Sequence, residues 1–163
     1  MKNVEYKISE TTKDDKSIVS AFVAESWGSP LSVTRGKIHN TPELPGFIVK
    51  SDNKIIALVT YNIEDSDCEI VTLNSTVGNK GMGTRLIDKV IEKAKSENCK
   101  RVWLITTNDN TKAIRFYQRR GFEWAGFHKN SMEESRKLKP EIPKLGDDDI
   151  PIKHEIEFEL ILR

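Results

Sequence analysis

Eight residues in the middle of the chain, Val77-Gly78-Asn79-Lys80-Gly81-Met82-Gly83-Thr84, lie between a strand-like apolar run at 69–73 and an amphipathic pattern at 83–96. A glycine-rich turn that opens a helix leaves several backbone N–H groups without partners, and such groups grip phosphate oxygens. The residue types therefore point to a cradle for the pyrophosphate of a coenzyme. Two other glycine motifs fail on spacing. A dinucleotide fingerprint needs a third glycine three residues beyond Gly83, where Leu86 stands. A nucleotide P-loop needs lysine and then serine or threonine after its second glycine, where Thr84 and Arg85 follow Gly83. On this segment alone, a tight turn that merely uses glycine competes with the cradle.

The elements that must carry this turn follow from pattern. Residues 4–9 read as an opening strand and 15–27 as a helix, with Ile18, Phe22 and Trp27 near helical spacing. Residues 28–45 hold two glycines and three prolines and read as mostly irregular. Residues 46–50 and 55–62 flank the turn Ser51-Asp52-Asn53-Lys54 as an antiparallel hairpin, and Glu64-Asp65-Ser66-Asp67 turns the chain into a third strand at 68–74. The helix at 83–96 carries Leu86, Ile87, Val90, Ile91 and Ala94 on one face, and the apolar run at 101–106 completes a crossover unit with a parallel strand pair. Asn110 caps a helix at 111–120 that Gly121 ends. Strands follow at 122–128 and 154–162, the latter alternating Ile156, Phe158 and Leu160 with Glu155, Glu157 and Glu159. Residues 129–153 are a lid or a decoration between these last strands. The fold class is α/β (α+β), and the 163 residues are expected to form a single domain, 1–163, bearing the 129–153 insert.

Composition limits the partners. With 26 basic and 25 acidic side chains the net charge is +1, which provides no global field for nucleic acid or an anionic membrane. No run approaches the roughly 18 apolar residues of a membrane span, and the N-terminal residues lack an apolar signal region, so a cytoplasmic protein is expected. Cys68 and Cys99 form no CxxC pattern and read as small buried hydrophobes; His39, His128 and His154 lack ligand spacing, so no metal is assigned.

The glycine turn is joined by a second block, Asn110-Thr111-Lys112-Ala113-Ile114-Arg115-Phe116-Tyr117-Gln118-Arg119-Arg120-Gly121-Phe122. The pair resembles the GNAT superfamily of acetyl-CoA-dependent N-acetyltransferases, whose pyrophosphate motif is (Gln/Arg)-x-x-Gly-x-(Gly/Ala) and whose second block is Asn-x-x-Ala-x-x-x-Tyr-x-x-x-Gly-Phe. The likeness covers residues 46–128 well and the first 45 only in outline. Gly78 departs from it, standing where the family carries glutamine or arginine, which removes a side chain and keeps the amides. The resemblance implies a mixed, mostly antiparallel central sheet with flanking helices, in which a splayed parallel strand pair admits a pantetheine arm. Val71 and Leu73 would then bond the pantetheine through their backbones. Gly78, Asn79, Lys80, Gly81, Met82, Gly83 and Thr84 would hold the phosphates of acetyl-CoA, and Asn110 would bond a pantetheine amide.

Acetyl transfer from thioester to amine needs a neutral amine, a polarised carbonyl and a proton for the departing thiolate. Tyr117, a phenol of pKa about 10, suits the last task. Glu69, taken by simple strand alternation to share a face with Val71 and Leu73, suits the base, with Asp67 as its rival. Trp27 and Arg35 are the acceptor-side candidates, for a primary amine of a small molecule or peptide. A homodimer through the last strands fits the family analogy, though no residue demands it. A different class of function, a non-catalytic acyl-CoA-binding sensor or scaffold, is also consistent with the altered Gly78, and a nucleotide-binding enzyme is a weaker third reading.

Overall fold

In the computed structural model, which describes residues 6–78 and 81–163, the chain runs β1 (Ile8–Glu10), α1 (Lys16–Trp27), β2 (Leu31–Thr34), β3 (Lys37–Asn40), β4 (Gly46–Ser51), β5 (Lys54–Glu64) and β6 (Asp67–Ser75). It continues through α2 (Met82–Ser96), β7 (Arg101–Thr107), α3 (Thr111–Arg119), β8 (Glu123–His128), α4 (Met132–Leu138) and β9 (Glu155–Ile161). Seven strands form one sheet in the order β1-β4-β5-β6-β7-β9-β8. Every pairing in it is antiparallel except β6 with β7. This is the mixed sheet with a parallel pair that the sequence predicts.

Turn chemistry sets the meander. Asp52-Asn53 and Asp65-Ser66 each place two consecutive residues at positive φ, 51° and 62° in the first turn and 52° and 65° in the second, the backbone of two-residue hairpin turns that follow strand twist. The sheet is then buried from both sides. Leu86, Ile87, Val90 and Ala94 of α2 lie against Val49, Val59, Ile70 and Val102. On the opposite face Val19 and Val23 of α1 cover Ile48, Ile55 and Leu58. Cys68 and Cys99 are buried free thiols, and burial pushes the Cys68 thiol up to about 12.

The segment 28–45 differs from expectation. Instead of an irregular run, it contains a separate antiparallel hairpin, β2 with β3, in register Leu31↔Asn40 to Thr34↔Lys37. Its turn is Arg35-Gly36, with φ of 48° and 76°, so Gly36, counted as a breaker, is a hairpin residue. The opening strand is shorter than expected: it spans Ile8–Glu10, and residues 4 and 5 lie outside the described residues.

The insert 129–153 is tied down. Its helix α4 ends beside Lys139, whose ammonium donates to the backbone carbonyls of Trp27 at 3.1 Å and Leu31 at 3.0 Å. Arg136 donates to the carbonyls of Pro143 at 2.8 Å and Ile152 at 2.7 Å. Lys139 thus closes the C-terminal end of α1, where cations are favourable, while burial lowers its pKa from the ordinary lysine value. Among the described residues no helix is long and apolar enough to cross a membrane. Lys139→Met keeps the length of the side chain but leaves two carbonyls unsatisfied, and it should reduce stability by about 1–3 kcal/mol, read from urea or thermal unfolding.

Candidate active site

The site begins where two strands part. The parallel ladder of β6 and β7 runs from Asp67↔Arg101 to Ile70↔Leu104, and among the described residues it ends there. On the other side of β6, Thr60 pairs with Thr72 but Tyr61 with Ile70, so Val71 is an extra, bulged residue. A bulge shifts the alternation of side chains by one. Ile70 and Leu73 therefore both join the core beneath α2, whereas Thr72 bonds Thr60 and Asn74 bonds Ser26 of α1 on the opposite face. Glu69 lies on that opposite face too. The expected common face for Glu69 and Leu73 is thus corrected, because alternation does not survive the bulge.

A cleft of about 810 Å³ occupies the divergence. Val71, Leu73, Ile105 and Thr106 line its waist, Trp27, Thr72 and Asn74 its α1 side, and the start of α2 with one face of α3 its other side. Backbone groups of β6 past Ile70 have lost β7 as a partner and face this space, and buried backbone groups demand partners. An extended ligand with amide groups satisfies that demand.

At the helical end, Gly81 is the N-cap of α2, with φ 68° and ψ 12°. It brings no capping side chain, and the first turn has no acidic residue, so the amides there are available to an anion. Gly78, Gly81, Met82, Gly83 and Thr84 all line the cleft; Asn79 and Lys80 lie outside the described residues. The two glycines serve different needs. Gly81 has open space around it but a left-handed backbone, whereas a Cβ on Gly83 would stand 3.2 Å from the Phe116 ring. Gly83 lets α2 and α3 approach.

Four cations line the cleft from α3 and its end: Lys112, Arg115, Arg119 and Arg120. No expectation from sequence singled them out, although four cations within nine residues of the second block are a usable signal. Arg120 is held most firmly, donating to Thr84 Oγ1 at 2.7 Å and to the Phe116 carbonyl at 3.2 Å with its guanidinium 4.0 Å from the centre of the Phe116 ring. It fixes a positive charge beside the first turn of α2. Arg85, by contrast, donates to the Tyr6 carbonyl.

Tyr117 lines the same cleft and packs among aromatic rings, with centroids 5.1 Å from Phe116, 5.4 Å from Phe122 and 6.4 Å from Phe158. Core packing and a place in the cleft lining coincide in this residue. Burial holds its phenol well above the usual tyrosine range, so it remains a proton donor at any working pH. Asn110, also at the cleft, caps α3 by accepting from the Ala113 N–H at 3.2 Å.

The remaining candidates separate. Trp27 lines the rim of the cleft, but Glu69 and Arg35 do not. Glu69 is buried beneath the β2–β3 hairpin, accepting from Thr34 Oγ1 at 3.2 Å with His39 Nε2 3.3 Å away. Arg35, at the hairpin tip, stands over Glu155 and Glu157. Asp67 is engaged by Arg101 at 3.1 Å.

This architecture matches known proteins. The model of the acetyltransferase (GNAT) family matches residues 9–122, and the chain belongs to that family. It is 45% identical over 147 residues to the uncharacterized protein YxbD of Bacillus subtilis (strain 168), a likeness that spans 90% of this chain and 92% of that one. Among solved structures, a Bacillus subtilis acetyltransferase in complex with CoA is similar with a TM-score of 0.68 and 16% identity, over 98% of this chain and 100% of that one. A GNAT family acetyltransferase from Elizabethkingia anophelis with acetyl-CoA bound gives 0.66 and 20%, over 96% and 98%. At such identities the shared property is the fold.

The contrast between the two glycines is testable. Gly83→Val, which pushes Phe116 and α3 away, should cost about 1–3 kcal/mol of stability through overpacking. Gly81→Ala should cost about 1–2 kcal/mol through its left-handed backbone alone. Chemical unfolding measures both, and an unchanged Gly83→Val would refute the close helix approach.

Proposed function

We propose that this chain is an N-acetyltransferase that moves the acetyl group of acetyl-CoA onto a primary amine of a small molecule or peptide, by direct attack in a ternary complex. The observation that carries this reading is a cleft through a parted strand pair, with uncapped helix amides, a fixed Arg120 and three further cations at one end and a buried phenol at its side. The binding of CoA and acetyl-CoA by structures of the same fold supports it.

In this reading the amides at Gly78 and Gly81–Thr84 hold the pyrophosphate, with Asn79 and Lys80 completing the loop. Arg120 and its neighbours on α3 offset the negative charge. Backbone groups at Val71 and Leu73 bond the pantetheine in place of the lost β7 partner, and Asn110 adds a side-chain bond. The Leu73 N–H polarises the thioester carbonyl. The amine enters from the hairpin side, past Trp27; Glu69 lies on that face beneath the hairpin, outside the cleft lining, and acts as the base only through a relay that carries the proton to it. The amine nitrogen forms the new bond to the carbonyl carbon, the carbon–sulfur bond breaks, and the thiolate takes the phenolic proton of Tyr117.

Tyr117→Phe tests the assignment because it retains the aromatic packing. Turnover with acetyl-CoA and an amine should fall by about a hundredfold or more, while CoA affinity by calorimetry stays within about twofold. Because burial raises the phenol pKa, the wild-type rate should show no tyrosine-dependent decline up to about pH 10. Equal losses of rate and affinity would reduce Tyr117 to a packing residue, and the absence of CoA binding would overturn the reading itself.

A further inference from the structure

The face of the sheet beneath the β2–β3 hairpin carries more negative charge than it neutralises. Asp67 and Glu69 from β6 and Glu155, Glu157 and Glu159 from β9 share it by strand position; two guanidinium groups answer them, together with the imidazoles of His39, 3.3 Å from Glu69, and His128, 3.7 Å from Glu157. Arg101 is committed to Asp67 at 3.1 Å, Glu157 at 3.2 Å and Glu159 at 2.8 Å. Arg35 reaches Glu157 only at 3.8 Å, with its side chain half exposed. Among the described residues no three His, Cys, Asp or Glu side chains converge closely enough to hold a metal ion. The charge is spread along the face.

Glu155 gives the independent observation. It is 2% exposed, and its Oε2 accepts from the Arg35 N–H at 3.2 Å, yet its Oε1 is buried with no hydrogen-bond partner among the described residues. An unpaired buried carboxylate oxygen is costly. From the hairpin tip Glu155 receives only the Arg35 N–H, and the loose ion pair of the Arg35 guanidinium goes to the neighbouring Glu157; such an exposed ion pair is the kind a bound cation can displace.

Position relates this pair to the cleft. Glu157 is paired with Ile105, which lines the cleft waist, and Glu155 is paired with Thr107 further along. Strand spacing of about 5 Å and rise of about 3.3 Å per residue place these positions roughly 5–8 Å from the divergence, a span that about four or five methylene groups bridge. Resting on the acetyltransferase reading above, we propose that Glu155 and Glu157 bind a second ammonium group of the acceptor, making the preferred substrate a linear diamine or polyamine, and that Arg35 occupies this site until the acceptor displaces it.

Steady-state kinetics with acetyl-CoA, comparing 1,4-diaminobutane with n-butylamine, reads the proposal. The wild type should favour the diamine at least tenfold in kcat/KM. Glu155→Gln and Glu157→Gln should each lower the diamine-to-monoamine ratio about tenfold, mainly through KM. Arg35→Ala, an exposed change that does not endanger folding, should raise the ratio by lowering the diamine KM. A wild type without preference, or a ratio unmoved in all three variants, overturns the site. If CoA binds and neither amine is acetylated, the catalytic reading fails separately. Titration of 1,4-diaminobutane into CoA-saturated protein then decides the site alone: heat that the Gln variants lose supports it, and no heat refutes it.

Discussion

The bulge at Val71 and the parting of β6 from β7 after Ile70 govern this structure. An extra residue in one strand reverses its alternation, so Leu73 turns into the core under α2 while Glu69 and Thr72 face the other way. The same irregularity ends the parallel ladder and exposes backbone groups that a continuous sheet would have used. Leaving such groups unpaired inside a protein is unfavourable. Those groups call for an extended partner at the centre of the sheet, and the start of α2 lines the same cleft.

The two faces of the parted sheet differ in sign. Lys112, Arg115, Arg119 and Arg120 gather on the side of α2 and α3, whereas Glu69, Glu155 and Glu157 lie under the hairpin on the other. A net charge of +1 conceals this separation. On the proposed reading, opposite fields across one sheet suit a polyanionic donor on one face and a cationic acceptor on the other. A positive field on one face and a negative field on the other attract opposite charges and repel like ones.

Much of this was legible from residue pattern. The period of α2, the Asn110 cap and Gly121 stop of α3, and the Asx-rich turns at 52–53 and 65–66 are local signals, and the structure follows them. The hairpin at 31–40 was not legible, since its strands are four residues long, lie outside the main sheet and surround an Arg-Gly turn that also reads as a loop. The face of Glu69 escaped for another reason. A bulge is a property of two strands in register, and no alternation within residues 67–75 reveals it. Arg120 belongs to the same class, because its contact with Thr84 joins positions 36 residues apart.

The hairpin itself combines a fixed base and a labile tip. At its base, Thr41 donates through both its N–H and its hydroxyl to the Pro30 carbonyl, and the buried Lys139 holds the Leu31 carbonyl. At its tip, the contacts are with carboxylates: Thr34 with Glu69, and Arg35 with Glu155 and Glu157. Neutral hydrogen bonds respond little to an arriving cation, whereas the ion pair of a half-exposed arginine competes with it directly. On the proposal above, a cation on the carboxylate face would compete with the contacts of the tip rather than with those of the base. The insert that carries Lys139 contributes by anchoring the base of the hairpin and the end of α1.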